Sequence, residues 1–196
     1  PSGYYNADKG TDELLHANLT SCLKCHSGYF SSEDRTRCLA CTAGQYIDVV
    51  AQECKNCTYG KYAPQPVSHD CLSCPAGYHT AGVVLSAKRC VACAAGTFSP
   101  ALRNVNCSEC LAGTYSTTGA KECNPCAKGH FSNGTQSFAC QACQAGYHAP
   151  VSGAVACSPC SAGRVTASTG QAVCTGCAKG RYQELQGQSR CTACAG

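Results

Sequence analysis

All 22 cysteines of this 196-residue chain fall in C-x-x-C pairs. Thiols at that spacing can do three things: hold a structural metal, cycle in redox exchange, or close disulfides. Redox exchange needs one low-pKa thiol at a helix N-terminus in a βαβ setting. Eleven pairs serve no single active site of that kind. Zinc is the closer competitor, because C-x-x-C, a spacer and a second C-x-x-C approach Cys₄ spacing. But eleven pairs cannot be shared two per metal without one left over, so disulfides are expected, and no cofactor.

Which sulfur joins which is constrained by the spacing. Counted from first Cys to first Cys, the steps along the chain are 16, 16, 17, 19, 17, 16, 17, 17, 17 and 17. Bridges crossing within twos of units, such as Cys22–Cys38 with Cys25–Cys41, would make gaps alternate, and they do not. The sameness favours one rung per repeat, with the crossed scheme as the alternative. The rungs are then Cys25–Cys38, Cys41–Cys54, Cys57–Cys71, Cys74–Cys90, Cys93–Cys107, Cys110–Cys123, Cys126–Cys140, Cys143–Cys157, Cys160–Cys174 and Cys177–Cys191. On this reading Cys22 and Cys194 bond cysteines outside this stretch. Each loop contributes about 3 kcal/mol by a chain-entropy estimate.

The elements that must position these sulfurs share the period. Three residues after the second Cys comes Gly, as at Gly44, Gly60, Gly113, Gly129 and Gly163, and a Gly fixed in one slot points to positive φ or close backbone approach. Two residues further on comes an aromatic or a stand-in, among them Tyr46, Tyr62, His79, Phe98, Tyr115, Phe131, His148 and Val165. This column, its two histidines included, is read as packing against a neighbouring disulfide. Turns at Thr117-Thr118-Gly119, Asn133-Gly134, Ser152-Gly153, Thr169-Gly170 and Gln186-Gly187 complete short strand, turn, short strand. A regular period implies an array whose units touch mainly their neighbours. Units stacked about 10 Å apart give a rod, with few contacts between residues more than about 40 positions apart.

Some residues stand outside this scheme. Asn6 to Thr20 is a longer insert, with Thr11 or Asp12 placed to cap a short helix to about Asn18. Asn6, Asp8 and Asp12 lack the order of a calcium loop and its closing Glu. Four N-x-S/T sequons mark Asn18, Asn56, Asn106 and Asn133 for N-glycans. Candidate ligand-binding stretches are Tyr46-Ile47-Asp48-Val49-Val50 and Ala81-Gly82-Val83-Val84-Leu85.

Composition narrows the function classes. Large aliphatic side chains and Phe are scarce, with Ile present once and Phe 4 times, and they cannot fill an ordinary core for a chain of this length. No run of 18 apolar residues exists, so no transmembrane helix is expected. The net charge of +4 comes from 15 basic and 11 acidic residues scattered along the chain, and no nucleic-acid partner is expected. So many thiols place the chain outside the reducing cytosol. No G-x-S-x-G, H-E-x-x-H or P-loop appears. Pro1-Ser2-Gly3-Tyr4-Tyr5 matches the stretch that follows a second Cys, as in Pro75-Ala76-Gly77-Tyr78-His79. The organisation expected is therefore a partial first repeat over 1–21, tandem repeats over 22–196, and a fragment of a longer chain.

The runs Cys110-Leu-Ala-Gly-Thr-Tyr-Ser116 and Cys74-Pro-Ala-Gly-Tyr78 resemble the ephrin-receptor-like cysteine-rich repeat, within the growth-factor-receptor cysteine-rich superfamily. The C-x-x-G-x-[YF] run also resembles the first module of tumour-necrosis-factor-receptor cysteine-rich domains. In that module the Cys ahead of Gly bonds the next Cys along, which implies the same ladder. Similar arrays occur in protist surface antigens and flagellar-hair proteins. The resemblance implies a small disulfide-rich β fold: an elongated tandem array of about eleven hairpins with little hydrophobic core. The function expected is a non-enzymatic extracellular rod, spacer or fibril-forming segment of a surface glycoprotein, associating with itself or other extracellular proteins. The alternative is a receptor ectodomain binding a protein ligand.

Overall fold

The structure, a computed structural model, describes residues 3–6, 22–26, 28–81 and 85–195. The fold is all β among these residues: 22 short strands in eleven two-stranded sheets. Most strands have two residues, and the longest hairpin pairs Gln45–Asp48 with Glu53–Asn56. No helix among the described residues is long and apolar enough to cross a membrane. The helix expected between Thr11 and Asn18 lies outside the described residues, as does most of the calcium-loop candidate.

One repeat shows how the sequence builds the unit. After Cys110, the Thr114 N–H donates to the Leu111 carbonyl at 3.1 Å, closing a four-residue turn. Gly113 is its third residue, with φ 83°, the positive φ that a type II turn needs there. The strand Thr114–Tyr115 leaves this turn and pairs with Asn124–Pro125, the two residues inside the next C-x-x-C. The register sets Thr114 against Pro125 and Tyr115 against Asn124. Hairpin and bridge therefore close the same loop. The Cys126 N–H then donates to the Gly113 carbonyl at 2.8 Å, extending the ladder by one bond.

Successive repeats are joined through backbone. From the repeat at Cys110 to the repeat at Cys126, the Gly113 N–H donates to the Ser132 carbonyl at 2.8 Å. The Ser116 N–H donates to the Ser137 carbonyl at 3.2 Å, and the Gln136 N–H returns to the Cys110 carbonyl at 2.9 Å. The same three bonds recur near the other end of the chain. Gly44 donates to Ala63 at 2.8 Å, Ile47 to Ser68 at 2.9 Å, and Val67 back to Cys41 at 3.1 Å. Bonds of this kind satisfy backbone groups of the turns and of the residues just past the strands. Neighbouring repeats thus touch at backbone hydrogen-bond range.

Contacts also reach two repeats along. A Cβ on Gly44 would stand 2.1 Å from the Ser86 carbonyl oxygen, and one on Gly113 would stand 2.3 Å from that of Gly153. The units therefore do not touch their neighbours alone. The chain divides into two compact units, Pro1–Val91 with Leu102–Asn106 and Ala92–Ala101 with Cys107–Gly196.

The core is a column rather than a centre. The second Cys of the pairs from Cys41 to Cys160 is almost wholly buried, at 0–1% exposure. Beside it lies the residue three after the repeating Gly: Ile47, Ala63, Thr80, Ser99, Ser116, Ser132, Ala149 and Thr166, all buried. Apart from Ile47 these side chains are small. Where they carry hydroxyls, the polar atom is used. Ser116 Oγ donates to the Thr97 carbonyl at 2.9 Å, and Thr166 Oγ1 accepts from the Gly146 N–H at 2.8 Å.

Candidate functional site

The sulfurs form ten bridges, each between the second Cys of one pair and the first of the next. These are Cys25–Cys38, Cys41–Cys54, Cys57–Cys71, Cys74–Cys90, Cys93–Cys107, Cys110–Cys123, Cys126–Cys140, Cys143–Cys157, Cys160–Cys174 and Cys177–Cys191. Among the described residues only Cys22 and Cys194 stand unpaired. The connectivity is one rung per repeat, and the crossed scheme is excluded.

Two members of the aromatic column, Tyr46 and His148, lie against sulfur. Tyr46 lies against the buried cluster of Cys57, Ala63 and Cys71 in the next repeat. His148 sits with Nδ1 at 3.2 Å from the Sγ of Cys174, and at 3.0 Å from the Ser158 carbonyl. His79 departs from this pattern in its hydrogen bonding: its Nδ1 accepts from the Ala81 N–H at 3.0 Å and lies 3.2 Å from the Val105 carbonyl oxygen. The ligand-type atoms of His148, Cys160 and Cys174 lie within 4.8 Å of one another. Two of those three are the ends of one bridge, so they offer no thiolate to a metal.

Shallow grooves run between adjacent hairpins. One of about 260 Å³ is lined by Phe131, Gln141, Gln144 and Tyr147 among others, and one of about 340 Å³ by His148, Ser161, Arg164 and Cys174 among others. A third, of about 440 Å³, is lined by Tyr5, His26, Tyr29, Arg37 and Cys38. Every cysteine in them is a bridge sulfur, with no nucleophile to give.

Asn56, Asn106 and Asn133 are exposed, while Asn18 lies outside the described residues. Asn56 accepts a hydrogen bond through Oδ1 from Gln45 Nε2 at 2.9 Å. The middle residues of the sequons at Asn56 and Asn106, Cys57 and Cys107, are held in bridges.

Among the described residues, the loop at Asp48 is held by both backbone donors and an ion pair. The Asp48 carboxylate accepts from the Val50 and Ala51 N–H groups at 3.0 Å each and pairs with Lys55 Nζ. The Lys55 hydrogen bond first, and the two backbone donors after it, hold the Asp48 pKa down at about 2. At the tip, Val49 and Val50 are 63% and 92% exposed. Of the second candidate stretch, Gly82 to Val84 lie outside the described residues, and Leu85 is exposed.

Two structural columns escaped the sequence reading. One is the buried small residue after the aromatic slot, whose signal was the recurrence of Ser, Ala or Thr three places after Gly. The other is the turn residue with left-handed φ: Val67, Ser86, Arg103 and Gln136 share this slot with Gly119, Gly153, Gly170 and Gly187. In the Asn133-Gly134 turn the left-handed residue is Gln136, not Gly134. The N–H of that residue is the one that returns to the preceding second Cys, and this bond holds non-glycine residues in an unfavoured conformation.

The pattern of the family described as tyrosine-protein kinase ephrin type A/B receptor-like matches residues 44–84, 113–154 and 129–173, just over half of the chain. The chain belongs to this family of cysteine-rich receptor-like repeats. The second and third matches overlap and are offset by one repeat. Such repeats are generally non-enzymatic, and with the disulfides they point to an extracellular setting. No curated protein matches the chain.

Proposed function

We propose that this chain is a non-enzymatic structural rod or spacer in an extracellular, N-glycosylated surface or filament protein. The observation that supports it best is the three-bond backbone junction, complete at the repeats that follow Cys41, Cys93, Cys110, Cys126 and Cys143. A junction made by peptide groups sets distance whatever side chains the repeat carries, which suits a part that supplies length. Ligand recognition would need side chains peculiar to one place. The proposed sequon order puts Asn133 first, because it sits exposed at a turn, whereas Asn56 and Asn106 each precede a bridged cysteine. The proposed organisation keeps a partial repeat over 1–21 and tandem repeats over 22–196, and self-association is the proposed contact.

Small-angle scattering tests this reading on variants lengthened or shortened by whole repeats. The expected outcome is a maximum dimension that changes by a constant step per repeat. An unchanged dimension overturns the spacer. Intact mass before and after glycosidase treatment tests the glycans in material from a eukaryotic host.

One observation favours the receptor reading instead. Asp48 and Lys55 hold a turn whose only large side chains at the tip are Val49 and Val50, both in solvent. If that tip contacts a partner protein, V49S/V50S abolishes capture of the partner and leaves the scattering profile unchanged.

A further inference from the structure

The net charge is not spread evenly. Residues 1–122 carry ten basic and ten acidic side chains, whereas residues 123–196 carry five and one. The whole excess of +4 therefore sits in the last repeats. Two of these cations, Arg164 and Arg181, hold the same slot in successive repeats, one place after the repeating Gly. They also hold the same pose. Arg164 Nη1 donates to the Cys174 carbonyl and Arg181 Nη1 to the Cys191 carbonyl, each at 3.4 Å. Among the described residues neither has a carboxylate within ion-pair distance. One backbone bond fixes each guanidinium and leaves its other donors free.

Arg164 borders the groove of about 340 Å³ that also contains His148 and Ser161 and has no acidic residue in its lining. The Nδ1 of His148 is occupied by the Ser158 carbonyl and the Cys174 sulfur, so Nε2 is the ring nitrogen left for a ligand. Lys179 and Arg190 lie in the same stretch, with Glu184 its one acid. We infer that the repeats from Cys143 to Cys194 bind a sulfated polysaccharide, its charged groups meeting Arg164 and Arg181 in successive repeats. Two cations in one pose at a fixed repeat step match a linear chain of anionic groups better than a single small anion. Oxidised disulfides place the site where such saccharides are the abundant linear polyanion. The inference rests on that extracellular setting, and it holds for a spacer or a receptor alike.

The test is retention on immobilised heparin, used as the probe, at graded salt. Exposed charge pairing weakens as salt rises. R164E/R181E is expected to lose affinity about tenfold or more, since each surface cation facing an anionic surface contributes about 1 kcal/mol. R164Q/R181Q should fall between this variant and the parent. K88E/R89E makes the same charge change on exposed residues of the balanced half and should elute close to the parent. Intact mass after alkylation without reductant checks that all ten bridges form in each variant. Equal losses in the two Glu variants, or no retention of the parent at 0.15 M salt, about physiological strength, overturn the site. So does equal retention of the parent on double-stranded DNA or polyglutamate columns, which would reduce the binding to net charge alone.

Discussion

Gly113 and Gly163 have nearly the same backbone, φ 83° and 77°, and very different surroundings. A Cβ at Gly113 would meet the Gly153 carbonyl, whereas a Cβ at Gly163 meets nothing within 4 Å. The two substitutions to Ala therefore separate conformational strain from packing. Gly163→Ala should cost about 1 kcal/mol, the penalty of left-handed φ alone. Gly113→Ala should cost about 3 kcal/mol or more, because the obstacle is backbone and cannot rotate away. Amide exchange at Gln136 and Gly153 reads the difference: both amides lose protection in G113A and keep it in G163A. Much of the residue scale was legible beforehand, since Gly and the aromatic recur in fixed slots. The buried column of Ser116, Ser132 and Thr166 was not, because small and partly polar side chains make no hydrophobic rhythm. Nor were Val67, Ser86, Arg103 and Gln136 legible as left-handed turns. What holds them is a hydrogen bond to the preceding repeat, and no residue type announces that.

At the scale of one element, the hairpin Gln45–Asp48 with Glu53–Asn56 is the only described one with strands of four residues. Asp48 ends its first strand and caps its turn. Its folded pKa, about 2, lies below the ordinary carboxylate value of 3.8. A depressed pKa means the charged form favours the folded turn. That contribution is fully present above pH 4 or so and is lost as pH falls from about 4 toward 2. Lys55 shifts the other way, raised chiefly by the Asp48 hydrogen bond, so its contribution is present below its ordinary value and is lost only as pH rises through its raised one. The carboxyl chemical shift of Asp48 should titrate near pH 2. Lys55→Met should move that midpoint up toward the usual carboxylate range, because the first of its causes is gone. Strand pairing itself was readable from turn residues and spacing. The register was not, since two-residue strands carry too little alternation to fix a face.

In the whole molecule, equal cysteine gaps were enough to favour a ladder, because a crossed pairing would have left its mark on the spacing. They could not show that repeats touch two along, which depends on how backbone edges meet. That second-neighbour contact has a measurable reach. Removing one rung with C110A/C123A should loosen its own loop by about 3 kcal/mol. It should also loosen the turn at Gly153, whose carbonyl packs on Gly113. Limited proteolysis without reductant should therefore cut between residues 111 and 122 and near residues 150 to 153. The repeat bridged by Cys177–Cys191 should stay intact. Cutting at the first site alone would mean that the contact across two repeats carries no stability.

The three-bond junction has a bearing on how such a chain changes over generations. Where it is complete, its donors and acceptors are peptide groups at fixed places in the repeat, as from Gly113 to Ser132 and from Gln136 to Cys110. Unequal recombination that inserts or drops one whole repeat leaves each of those groups facing an equivalent partner. The bridges re-form in the same order, because every rung closes on the next pair along. Copy number can thus drift without any compensating substitution, and selection can act on length in single steps while the repeat sequences diverge.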